Sequence, residues 1–124
     1  CGLLIGARQA DGAVMVQRVT VTANAMAGQA NDRFEIAPEV LLSAHRAART
    51  AGELIVGHFH SHPGGGALPS ATDAAWAHEP GVIWLIQAVE AQAMGPLRAF
   101  LARAGGGGGA GQAFTPLAIV TTSQ

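Results

Sequence analysis

Three of the five histidines fall in one run, His58-Phe59-His60-Ser61-His62. Side chains alternate across a β-strand, so three imidazoles at 58, 60 and 62 share one face. Neighbouring members of that set have Cα atoms about 6.5–7 Å apart, close enough for two rings to converge on one ion. His58 and His62 are about 13 Å apart and cannot share it. The pair is therefore 58/60 or 60/62. Pro63-Gly64-Gly65-Gly66 reverses the chain, and Ser70-Ala71-Thr72-Asp73 then brings back a carboxylate at the start of a helix. Chain direction favours His60 and His62 with Asp73. Two imidazoles and one carboxylate leave a coordination position open, as in catalytic rather than structural zinc sites. A small nitrogen and oxygen donor set favours zinc among the metals. Plainer readings exist for each part alone. Ser70-x-x-Asp73 is also a capping box, and a histidine on a strand is ordinarily a surface or core residue. The combination in one register is what points to a metal.

The elements that must position these residues read as follows. Cys1 to Arg8 is a short apolar strand ending near Gly6, and Asp11-Gly12 is a hairpin turn signal. Val14 to Thr22 is β-branched and reads as a second strand. Phe34 and Ile36 suggest a brief strand. Pro38 opens a helix with Val40, Leu41, Ala44, Ala47, Ala48 and Ala51 at helical spacing, and Gly52 stops it. Glu53 to His62 is the histidine strand. Ser70 to His78 reads as a second helix, and Val82 to Val89 as a strand. Leu97, Ala99, Phe100 and Leu101 fit either a helix or a strand. Phe114 to Val120 is a last strand. The order implies an α/β (α+β) chain, a mixed sheet covered by two helices.

Composition narrows the function. One domain is expected from 124 residues. Charged residues are only 12%, against about 25% in ordinary domains, and the net charge is −1. Nucleic acid and anionic membrane surfaces are thus not expected partners. All seven basic residues are arginine, which excludes a phosphate loop that reaches with lysine. No apolar run approaches the ~18–20 residues of a membrane span. The single cysteine, Cys1, rules out an internal disulfide or a cysteine zinc cluster.

His60-Ser61-His62-Pro63, with Ser70 and Asp73 following at seven residues counting that proline, resembles the signature of the JAMM/MPN+ (JAB) zinc metalloproteases. Cys1-Gly2-Leu3-Leu4-Ile5-Gly6 is similar to that family's first strand, and Arg33-Phe34-Glu35-Ile36 to its stand-alone bacterial members. A RadC-like branch shares the pattern but usually carries asparagine where this chain has Ser61. The resemblance implies a JAB/MPN-like mixed sheet flanked by helices, with cytidine-deaminase-like layering. It implies one zinc per chain, held by His60, His62 and Asp73 with water as fourth ligand, and Ser70 as hydrogen-bond donor to the oxyanion. The implied reaction is hydrolysis of a peptide or isopeptide bond after the Gly-Gly tail of a ubiquitin-like or sulfur-carrier (ThiS/MoaD-like) protein, in the cytoplasm. The alternatives are a non-catalytic MPN scaffold and a RadC-like JAB protein that binds a partner.

The family's general base is a glutamate about two residues before the first strand. That places it upstream of Cys1, so residues 1–124 are expected to form the domain without its N-terminal helix and without the segment carrying that glutamate. A lipoprotein cysteine and an N-terminal nucleophile are the other readings of Cys1. Glu53 falls on the wrong face of the histidine strand to substitute, and Glu35 and Glu39 sit on other elements. His58 is either a neighbour supporting the ligands or an ordinary strand histidine. His45 and His78 read as solvent-side helix residues, and Trp76 and Trp84 as core. Gly64 to Gly66 either makes room for an extended substrate or is a turn. Gly105 to Gly109 reads as a surface loop.

Overall fold

The computed structural model describes residues 1–22, 36–63, 81–90, 93–103 and 114–121. Among these the chain forms β1 (Gly2–Arg8), β2 (Val14–Val21), α1 (Pro38–Thr50), β3 (Leu54–Pro63), β4 (Ile83–Glu90), β5 (Ala93–Ala102) and β6 (Phe114–Leu117). This is the α+β class expected. The chain divides into two compact units, Cys1–His60 and Ser61–Gln124.

In the first unit β1 pairs antiparallel with both β2 and β3. Leu3, Leu4 and Ile5 are all buried, although successive residues face opposite ways. β1 is therefore covered on both sides and acts as the centre of the unit. The β1–β2 turn forms as the sequence predicts. Gly12 takes φ +90°, the Gly12 amide donates to the Gln9 carbonyl, and the Asp11 carboxylate accepts from the Ala13 amide. β2, by contrast, lies at the rim, with Val16, Val19 and Val21 exposed. One extra residue on β2 at the Ile5/Gly6 step makes a bulge. Gly6 fits there because a Cβ would overlap the Met15 carbonyl oxygen.

α1 begins with Pro38 in its first turn, where a missing amide hydrogen costs nothing. Its inward stripe is Leu41, Ala44 and Ala48; Val40, Ala47 and Ala51 of the expected set are exposed. The helix ends as Gly52 turns to φ +75° and the Glu53 amide donates to the Ala48 carbonyl at 2.8 Å, which sets the start of β3.

The second unit is an antiparallel run, β4 to β5 to β6. The ambiguous stretch around Leu97 to Leu101 is strand. Trp84, Phe100 and Phe114 pack edge-to-face, with Phe114 5.0 Å from Trp84 and 6.3 Å from Phe100. Gly95 and Pro96 oppose Ala88 in an irregular rung. The Gln87 side-chain amide fills the gap by donating to the Gly95 carbonyl at 2.7 Å. β6 is shorter than expected, ending at Leu117. The helix expected over Ser70 to His78, and Phe34 of the expected brief strand, lie outside the described residues; Ile36 belongs to no strand.

Phe114 closes its aromatic cluster, so Phe114→Ala is expected to lower stability by about 3–5 kcal/mol in urea unfolding. Arg18→Ala, which removes only a half-exposed ion pair to Glu53, should cost less than about 1 kcal/mol. Comparable losses for the two would contradict the packing described here.

Candidate metal centre

β3 carries His58, His60 and His62 on one strand, as the alternation requires. His60 is the one buried polar side chain among the described residues, at 6% exposure. The Nδ1 atoms of His58 and His60 are both shielded from solvent. Val56 lies on the same face of β3 and is fully buried, and Leu3, opposite His58 in the β1 ladder, is buried too. The histidine face is thus walled by apolar side chains. Neutral imidazole is the ligating form of histidine.

The position of His60 is set by the rung before it. Phe59 is the ladder partner of Gly2, and a Cβ on Gly2 would overlap both the Phe59 ring and the Thr20 carbonyl oxygen. Glycine at residue 2 therefore lets the ring lie flat against β1. Gly2 is also where β1 and β2 meet at Val21, so one glycine fixes three strands at the histidine end of the unit.

Sequence reading missed the role of Glu53. It precedes β3, and its Oε1 accepts from Arg18 Nε at 3.0 Å and lies 2.9 Å from Nη2. Held by a guanidinium that reaches over from β2, it is engaged in an ion pair rather than presented as a base. Only its tie to Arg18 across β1 is non-local, and no motif announces it. Glu39 is exposed in the first turn of α1, as is His45 further along the helix. Trp84 is core. The Cys1 sulfur rests 3.7 Å from Thr22 Oγ1, at the strand end where the Thr22 amide donates to the Cys1 carbonyl.

Ser70 and Asp73 lie outside the described residues, as do Glu35, Trp76, His78 and both glycine runs. Among the described residues no three histidine, cysteine, aspartate or glutamate side chains gather as a metal-holding group. No described helix is long and apolar enough to cross a membrane.

The chain as a whole is similar to known proteins. The profile of the prokaryotic homologs of the JAB domain matches residues 1–102. The chain belongs to that family. The desampylase of Haloferax volcanii is 37% identical over 90 residues, covering 69% of this chain and 59% of that protein. This chain therefore corresponds to under two thirds of that relative's length. A solved protein from Desulfitobacterium hafniense superposes with TM-score 0.78 at 30% identity, over 99% of this chain and 77% of its own. One from Salinibacter ruber gives TM-score 0.71 at 31% identity, over 98% and 76%.

Gly2→Ala is expected to lower stability by roughly 1–3 kcal/mol in urea unfolding, the cost of overpacking. Because the displaced ring adjoins His60, the same change should move the His60 amide resonance. A stability loss with an unmoved His60 signal would show that this contact does not position the histidine.

Proposed function

We propose that this chain is the core of a zinc-dependent peptidase or isopeptidase. It cuts after the Gly-Gly tail of a ubiquitin-like or sulfur-carrier protein. The observation that carries the proposal is the burial of His60 on β3, two residues from a second histidine on the same strand. Nitrogen donors on one strand suit zinc. The desampylase likeness supports the reaction class and a ubiquitin-like substrate.

In this reading His60, His62 and Asp73 hold one zinc ion. When bound, zinc supplies Lewis-acid polarisation of the scissile carbonyl and acidifies water toward a pKa of ~7. The Ser70 hydroxyl donates a hydrogen bond to the oxyanion that develops on that carbonyl. Water adds to the scissile carbonyl as the C–N bond breaks, and a carboxylate takes the water's proton and delivers it to the leaving amine, a part that the family resemblance gives to a glutamate ahead of the first strand. Glu53 is unsuited to that task because Arg18 holds it. A slim Gly-Gly tail can approach in extended form, its main chain recognised by strand addition.

Metal analysis of the natural full-length protein tests this directly. About one zinc per chain is expected, lost in His60→Ala, His62→Ala and Asp73→Ala and kept in His58→Ala. Cleavage of a carrier protein fused past its Gly-Gly tail should fall by about a thousandfold or more in His60→Ala. A protein that purifies without zinc and cannot be loaded with it would overturn the enzyme reading in favour of a scaffold.

A further inference from the structure

A groove in the second unit stands apart from the histidine strand. β6 pairs with β5 over four rungs, from Ala102↔Phe114 to Ala99↔Leu117. β5 runs on past Ala99 to Ala93, while residues 118–121 leave the ladder. The parting of the two segments opens a groove of about 410 Å³, lined by Leu97, Arg98, Phe100, Pro116, Leu117 and Ile119 among others. That volume falls within the ~300–1,000 Å³ range of ligand pockets.

The lining is unusual for a surface. Leu97, Leu117 and Ile119 are 45%, 38% and 46% exposed, and Met94 and Val120 nearby are exposed as well. Contiguous apolar surface of this kind marks an interaction site. Among the described residues that line it stands a single charge. Arg98 is exposed and lines the groove, and the ion pair seen among the described residues belongs to Arg18 instead. Among the described residues no acidic side chain lines the groove. On this side the β5 backbone at Leu97 and Arg98 pairs with no described strand.

We infer that this groove docks an extended apolar segment of a protein partner that carries acidic side chains. Leucine-like side chains of the partner fill the space between Leu97, Leu117 and Ile119. A carboxylate meets the Arg98 guanidinium, which matches carboxylate geometry with two parallel hydrogen bonds. The β5 backbone at the parting offers main-chain hydrogen bonds to an added strand. Pro116 lacks an amide hydrogen, which weakens strand pairing on the β6 side and leaves β5 as the docking edge.

Calorimetric titration of the natural full-length protein with two hexapeptides tests the inference. One alternates leucine with glutamate, the other leucine with lysine. The glutamate peptide should bind at least about tenfold more tightly at low salt. Arg98→Glu should reverse that preference, and Leu117→Ser should weaken both peptides. Both positions are exposed, so these variants keep the fold. Equal binding of the two peptides, or an unchanged preference in Arg98→Glu, would overturn the proposal. So would self-association of the protein that Leu117→Ser abolishes, because a second copy would then be the occupant. Zinc content and tail cleavage are separate readouts, so either reading can fail without the other.

Discussion

An imidazole can be buried only where the loss of its hydration is offset by partners or by a bound cation. His60 is such a group, and much of the first unit serves to hold it. β1 is covered on both faces, so it cannot shift without exposing Leu3, Leu4 or Ile5. Each of those residues contributes roughly 1.5–3 kcal/mol by burial. β3 takes its register from that fixed strand, and the Phe59 ring against Gly2 closes the last rung before His60. Apolar burial elsewhere in the unit thus places the strand that carries the histidine. A donor fixed in this way loses little further freedom when a ligand arrives, which is how a supporting shell strengthens a site.

The rim of the unit follows a different logic. β2 has few buried side chains, and a long apolar edge strand invites pairing with another chain. Two features blunt it. The bulge opposite Ile5/Gly6 interrupts the ladder and increases the local twist. Arg18, the one charged residue on the strand, is drawn back over β1 to Glu53. That pair is too exposed to stabilise the fold by more than about 1 kcal/mol. Its consequence is directional, since it ties the middle of β2 to the start of β3.

Much of this was legible from sequence because the signals were local. Asp11-Gly12 dictated a turn, Pro38 and Gly52 bracketed a helix, and alternating histidines required a strand. The ambiguity at Leu97 to Leu101 was physical. Leu97, Phe100 and Leu101 satisfy helical spacing, and only pairing with β4 and β6 selects the strand. The same non-locality hid the Gln87 amide bridging the irregular rung, the Glu53 ion pair and the aromatic cluster around Phe114. The helix stripe was drawn too wide because alanine is compatible with either face; Ala48 is buried while Ala47 is exposed. Of the proposed ligands, sequence named three residues, His60, His62 and Asp73. The described structure places the backbone of two and the side chain of one, His60.

A strand alone cannot complete a zinc site. Its repeat lets two alternate imidazoles converge and sends the third about 13 Å away. The remaining protein donor must come from another segment, and in the proposed set Asp73 lies thirteen positions after His60 (73 − 60). The two kinds of donor then differ in what holds them. His60 is buried on a strand paired with the packed β1, so in the proposed site changes at Gly2 or Leu3 would reach the metal through the strand. In the sequence, Asp73 comes after Gly64-Gly65-Gly66, a run with no side chain to contribute to a core. Metal binding is free energy of ordering for whichever donor is less fixed beforehand. In the proposed site, replacing Gly64 to Gly66 with residues of narrower backbone freedom should therefore change zinc affinity more than equal stabilisation of β1.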